Sequence, residues 1–320
     1  MLVSAEETLG ELRCPVSKSR LVRDGNLLVS TDDQDARQRS YPIVDGKPVL
    51  INFSQSVVDK EVVTKSVGES QVERTSYSGL NRLVKQLLSP ENKATQQNVA
   101  HLQELLRARP EPARLLVVGG GSVGQALGPL YDDERIKVYS FDIYASPTVQ
   151  FVADAHEMPI ADGFFDAVIV QAVLEHVLDP DQVVNEIWRV LKPDALVYAE
   201  TPFMQHVHEG AYDFTRFSDC GHRYLFRRFE LIDSGVCGGA GIQLMWSVDY
   251  FVRALFRSRT AGKIAKLAIF WVQYLDNLIP RAYAIDAASG VFFFGRKSKN
   301  TISPSDIISY YSGANALIAE

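Results

Sequence analysis

Residues 115–124 read LLVVGGGSVG, an apolar run that breaks into glycines. The last six residues fit G-x-G-x-x-G, a pattern in which glycines let the backbone approach a ligand closely while a following helix offers free N–H groups. Leu115–Val118 predicts a strand, and 122–131 (SVGQALGPLY) predicts the helix after it. The pattern is short and sits in a glycine-rich neighbourhood. By itself it leaves open whether the loop holds a nicotinamide dinucleotide or another adenosine-bearing cofactor.

Strand and helix patterns alternate from Arg114 onward. KVYSFD (137–142), FVAD (151–154), FDAVIVQAV (165–173) and ALVYAET (195–201) predict strands. Asp179-Pro180 predicts a helix start, with a capping oxygen and proline at the first helical position. Val183, Val184, Ile187, Val190 and Leu191 would form the buried face of that helix, and Pro193 would end it. FELIDSG (229–235) and GVFFFGRKS (290–298) predict two later strands. Alternation of this kind implies a parallel sheet covered by helices on both faces, an α/β fold.

Upstream, residues 1–54 predict a small β unit, with strands in LLVS (27–30) and PVLINF (48–53) and a polar, mobile TDDQDARQRS (31–40) between them. Asp45-Gly46 is a hairpin signal inside it. Residues 55–110 predict a helical linker, because LNRLVKQLL (80–88) and NVAHLQELLRA (98–108) space apolar residues at three and four. The main domain is expected at 111–300, with a helical insertion at about 243–280. The tail 301–320 shows no core pattern.

The 320 residues suffice for one large domain and a small one. A net charge of −6 speaks against nonspecific nucleic-acid binding, and no nucleic acid is expected as a partner. Three cysteines, Cys14, Cys220 and Cys237, with no signal-like N-terminus, predict a reducing cytoplasm. No apolar run is long enough to predict a transmembrane helix.

The residues after the glycine loop discriminate between cofactors. Asp142, about 18 residues past Gly124, ends a strand where an acid can grip both ribose hydroxyls. Asp154 follows the third strand, where an acid can accept from an adenine amino group. Glu175-His176 falls at the end of the fourth strand, facing the ligand crevice of such sheets. No Tyr-x-x-x-Lys pair occurs, which removes one common class of nicotinamide enzyme.

These marks together resemble the class I S-adenosylmethionine-dependent methyltransferases over about residues 112–297. VVGGGSVG, SFDIY, ADAHEMPIADGFFDAVIVQAVLEHVLDP and EIWRVLKPDALVYAETPF occur in the usual order and at the usual spacings. The resemblance implies a Rossmann-like seven-stranded sheet with one antiparallel edge strand and S-adenosylmethionine as cofactor. It implies that Gly119, Gly120 and Gly121 line the methionine part, Asp142 and Ile143 the ribose, and Asp154 and Ala155 the adenine, with Met158 nearby. Gln171, Glu175 and His176 complete the expected cofactor set. Two departures stand out. Val117 occupies the place of an acid that helps bind the cofactor's amino group, and Asp194 replaces a glycine. The N-terminal LRCPVSKSRL…YPIVDGKPVLIN resembles a small zinc-ribbon-like domain that, as a separate chain, activates several methyltransferases. Cys14-Pro15-Val16-Ser17 keeps one of its cysteines and the second pair is missing. Four ligands are needed, so no zinc is expected.

HEGAYDFTRFSDCGHRYLF looks like the His…Asp-Tyr-x-Arg-Phe segment of bacterial members that act on glycans and other small molecules. A weakly acidic sugar hydroxyl benefits from a nearby base. His208, ahead of His206, is the candidate base; Asp213, Tyr212 and Arg216 are the candidates beside it, the last two to position the acceptor. His-x-His lacks further ligands in sequence, so no metal is assigned. O-methylation of a small-molecule or glycan acceptor is the expected function. The rivals are a noncatalytic S-adenosylmethionine-binding scaffold, a nicotinamide oxidoreductase and, more weakly, methylation of a macromolecule. Between Asp249 and Asp276 the insertion carries five cations and no acid, followed by Phe270, Trp271 and Tyr274. This predicts either a cover over the pocket or a homodimer contact, or peripheral contact of 250–275 with an anionic membrane.

Overall fold

The computed structural model describes residues 1–31, 39–65 and 92–317. The helix expected over 80–88 and most of the 31–40 loop lie outside these residues. The N-terminal segment forms β1 (Leu21–Asp24), β2 (Leu27–Ser30), β3 (Ser40–Val44) and β4 (Lys47–Leu50). Asp45 and Gly46, with φ of +49° and +76°, close the β3–β4 hairpin, as a turn with two left-handed residues requires. The β1–β2 hairpin, which turns at Gly25 (φ +58°), went unpredicted.

After α1 (Lys93–Arg107) come β5 (Ala113–Val118), β6 (Ile136–Asp142), β7 (Phe151–Ala153) and β8 (Phe165–Gln171). They are followed by α2 (Pro180–Val190), β9 (Leu191–Pro202), β10 (Phe229–Gly238) and β11 (Gly290–Lys297). One sheet holds eleven strands in the order β1-β2-β3-β4-β7-β6-β5-β8-β9-β11-β10. This corrects the expected seven. β7, only three residues long, would leave an open edge, and β4 covers it in parallel through Val49↔Val152 and Leu50↔Ala153. The reversed strand is also not at the edge: β11 runs antiparallel between β9 and β10. Its first six residues, GVFFFG, are all buried, so it has no face to give to water, whereas β10 exposes Glu230, Leu231 and Asp233 and takes the edge.

The β5 side chains alternate between two cores, with the period of two that a strand imposes. Leu116 and Val118 pack on the side of Val183, Ile187 and Val190 from α2; Leu115 and Val117 pack against Val99, Leu102 and Leu106 from α1. Each such side chain contributes about 1.5–3 kcal/mol. Helix α2 begins as expected, with the Asp179 carboxylate accepting from the Gln182 amide at 3.0 Å and Pro180 opening the first turn. It ends at Val190, before Pro193, which β9 absorbs. The helix expected over 122–131 shrinks to Gly128–Asp132. Two glycines weaken the segment, Ala126 sits at φ +61°, and Pro129 fits only a first turn. The glycine loop is therefore an open turn rather than the direct cap of a helix.

Between β10 and β11 the chain forms α3 (Ala240–Phe256), α4 (Arg259–Ala268) and a 3-10 helix over Phe270–Leu278. Among the described residues no helix is long and apolar enough to cross a membrane.

Candidate active site

The residues predicted to hold a ligand fall in a row along the C-terminal ends of β7, β6, β5 and β8. At β5, Gly119 turns at φ +72° and packs so closely on Val173 that a Cβ would collide with it. A Cβ on Gly121 would collide with Asp142 and Tyr144. The loop consequently lies flat over the end of β6. The Gly121 and Ile143 amides donate to the Asp142 carboxylate at 2.8 and 2.7 Å. That carboxylate is almost buried.

Asp154 stands past β7. Its Oδ1 accepts from the His156 amide at 3.0 Å and pairs with His156 Nδ1 at 2.6 Å, and its Oδ2 accepts from the Ser56 hydroxyl at 2.5 Å. Burial alone would raise its pKa, but these bonds outweigh burial and hold it below the usual carboxylate value. With Asn52, Gln55 and Val57 it lines a cavity of about 240 Å³, so the N-terminal segment forms one wall at this end of the row. Ala155 and Met158 are buried beside it. Cys14 is buried with its thiol 3.2 Å from the Tyr41 hydroxyl.

The acceptor candidates gather beyond β8. The flap after β9 is tied down by the Phe214 and Thr215 amides, which donate to the Glu175 carbonyl at 2.8 and 3.3 Å. His208 is fixed through its amide, which donates to Asp213 Oδ2 at 2.8 Å, and through Nδ1, 3.3 Å from the same oxygen. Its Nε2 points at Glu175 Oε1, 3.9 Å away, and the His176 Nε2 lies 3.6 Å from that oxygen. The His176 Nδ1 donates to the Tyr212 carbonyl at 2.6 Å. Burial pushes the Glu175 carboxyl up to about 8, and among the described residues its Oε2 has no hydrogen-bond partner. Burial also raises Asp213 in principle, yet the Arg216 guanidinium and the His208 amide hold it well below the usual carboxylate range.

Of the predicted residues, Glu175 and His176 thus converge with His208 rather than with the glycine loop. Arg216 uses its donors within the flap, on Asp213 and on the carbonyls of Gln205, Thr215 and His206. Tyr212 contributes a carbonyl. His206 stacks on Tyr250, with centroids 4.6 Å apart, and its Nδ1 lacks a partner among the described residues; burial and Arg216 lower its pKa.

A cavity of about 650 Å³ opens beside this cluster. Gln125, Glu175, Glu200 and His208 line it, together with Trp246 and Tyr274 from the insertion. Glu200 was missed in the sequence, where it reads as the end of an apolar strand. It is buried and accepts from Thr95 at 2.6 Å, Tyr198 at 2.5 Å and Gln171 at 2.7 Å. Tyr198 lies two residues away on the same strand, but Thr95 and Gln171 come from α1 and β8 and meet it only in the fold.

Residues 116–199 match the family described as a methyltransferase domain. At the strand ends stand glycines that admit close backbone approach and two almost buried carboxylates, Asp142 and Asp154. Solved structures similar to this chain include one from the complex between the Haloferax volcanii Trm112 methyltransferase activator and a methyltransferase, at 18% identity over 69% of this chain and 100% of that chain, with a TM-score of 0.40. Another is Haemonchus contortus phosphoethanolamine N-methyltransferase 2 in complex with S-adenosyl-L-methionine, at 14% identity over 87% of this chain and 71% of that chain, with a TM-score of 0.44. A third is Burkholderia thailandensis 1,6-didemethyltoxoflavin-N1-methyltransferase, at 13% identity over 71% of this chain and 94% of that chain, with a TM-score of 0.40.

Proposed function

We propose that the enzyme transfers the S-adenosylmethionine methyl group to a hydroxyl oxygen of a glycan or other small molecule held in the 650 Å³ cavity. Gly119, Gly120 and Gly121 would line the methionine part of the cofactor, Asp142 and Ile143 the ribose, and Asp154 and Ala155 the adenine. Gln171 would complete this wall beside Glu200. The carrying observation is the cavity lining. Trp246 and Tyr274 offer flat apolar faces for a sugar ring, and Glu175, Glu200 and His208 offer hydrogen-bonding groups. In the reaction the acceptor oxygen forms a bond to the methyl carbon as the carbon–sulfur bond breaks. The bonding pair stays on sulfur, giving S-adenosylhomocysteine, and the hydroxyl proton leaves toward the Glu175–His176–His208 cluster or solvent. Asp213 and Arg216 position His208, and Tyr212 positions His176 through its carbonyl. The N-terminal β unit serves as a stabilising module that completes the adenine end.

Isotope-labelled S-adenosylmethionine with a panel of nucleotide sugars, lipid-linked glycans and simpler hydroxyl acceptors tests this reading, with mass spectrometry locating the label on oxygen. Cofactor binding with no transfer to any acceptor would favour a noncatalytic scaffold. That second reading is supported by Val117, an apolar side chain buried in β5 where a carboxylate would meet the cofactor's amino group. The insertion also supports contact with an anionic membrane, where a lipid-linked acceptor would reside. Phe251, Leu255 and Phe256 are exposed beside Arg257, Arg259 and Lys263, whereas Arg253 pairs with Asp249 and Lys266 turns inward onto Trp246. A homodimer through the same exposed face is the competing occupant, and a concentration-dependent mass in solution identifies it.

A further inference from the structure

We propose that Glu175, His176 and His208 form a binding site for one divalent transition-metal ion that opens onto the acceptor cavity. Each residue offers a ligand atom, and these atoms lie within 4.8 Å of one another. Two ligands about 2.1 Å from a tetrahedral ion stand about 3.4 Å apart. The separations of Glu175 Oε1 from the two imidazole Nε2 atoms, 3.6 and 3.9 Å, need only a small contraction to meet that spacing.

Three independent features point the same way. The first is the orientation of both rings. A ligating histidine donates its other ring N–H to a carbonyl or carboxylate, which fixes the ring and leaves the second nitrogen bare. His176 does this through Nδ1 to the Tyr212 carbonyl, and His208 has Nδ1 against Asp213 and the His206 carbonyl. The second is Glu175, which is 1% exposed, has no hydrogen-bond partner for Oε2 among the described residues and has an imidazole Nε2 on either side of Oε1 at 3.6 and 3.9 Å. A buried carboxylate left this bare is costly unless a cation compensates it. The third is access. Glu175 and His208 both line the cavity, so three protein ligands would leave a coordination position facing the acceptor, as catalytic rather than structural sites do. Two imidazoles and one carboxylate suit zinc, manganese, cobalt or iron better than magnesium or calcium.

The role of the ion rests on the proposed hydroxyl methylation. An acceptor oxygen bound to it would lose its proton to solvent more readily and attack the methyl group as an alkoxide, while His208 serves as ligand rather than base. No spacing rule could show this site, because Glu175-His176 and His208 come from separate loops that meet only in the fold.

The test uses the full-length protein without a metal-affinity tag, stripped with a chelator and titrated with Co²⁺ and Zn²⁺. One ion per chain should bind, with a visible Co²⁺ spectrum lacking thiolate charge-transfer bands. His176→Ala and His208→Ala should each weaken binding at least about 100-fold, and Asp213→Asn about tenfold. Glu175→Gln preserves shape and guards against a folding artefact, while S-adenosylhomocysteine affinity reports separately that the cofactor half is intact. Absence of binding, a thiolate band, or binding unchanged in the histidine variants would overturn the site. Methyl transfer undiminished in stripped protein would overturn its role. A mapped ion in a protein that methylates no hydroxyl would leave the site standing and remove the proposed function.

Discussion

Replacing Asp142 by alanine tests the cofactor row where it depends most on one side chain. The carboxylate is 8% exposed and already holds the Gly121 and Ile143 amides at 2.8 and 2.7 Å, so its position is fixed before a nucleoside arrives. A ribose diol would add two hydrogen bonds to a charged acceptor, each contributing about 1.5–3 kcal/mol. Losing both removes about 3–6 kcal/mol, or roughly 100-fold to 10,000-fold in affinity at 1.4 kcal/mol per tenfold. The two amides lose their partner as well, so loop relaxation adds to the deficit. Asp142→Asn keeps one side-chain oxygen and should fall between wild type and alanine. Calorimetric titration with S-adenosylhomocysteine reads the affinities, and circular dichroism checks that each variant is folded. A folded Asp142→Ala protein with wild-type affinity would refute the assignment of the β6 end to the ribose.

Deleting residues 1–54 should abolish folding of the remainder. Val49, Leu50 and Ile51 are fully or nearly fully buried, and at about 1.5–3 kcal/mol each their loss approaches the whole stability of a domain. A soluble, cooperatively melting truncated protein would contradict this. His222 is fully buried, its Nε2 has no partner among the described residues, and burial pushes its pKa down to about 3. Between that value and about 6.5 the unfolded state binds the extra proton, so stability is complete at higher pH and lost as pH falls. His222→Leu should therefore gain about 2 kcal/mol relative to wild type on going from pH 8 to pH 5, measured by denaturant melts; a pH-independent difference would refute it. The double substitution Phe251→Ser, Phe256→Ser should leave the melting temperature unchanged, since both rings are about two-thirds exposed (68% and 66%), and should abolish flotation with anionic liposomes. Equal flotation would exclude that face as the membrane contact.

Periodicity and punctuation in the chain alone determined most of the α/β core. The apolar runs at 115–118, 137–142 and 165–173 could only be strands, Asp179-Pro180 could only open a helix, and Asp45-Gly46 could only turn a hairpin, because each follows from backbone sterics and local hydrogen bonding. The positions of Asp142 and Asp154 at strand ends were legible for the same reason. What lay beyond was decided by contacts between distant segments. The pairing of β4 with β7, the interior place of β11, the burial of Glu200 under Thr95 and Gln171, and the meeting of His208 with Glu175 and His176 leave no trace in local sequence. Strand order and side-chain convergence arise from which apolar faces and open edges must be covered, a condition that only the folded chain as a whole can satisfy.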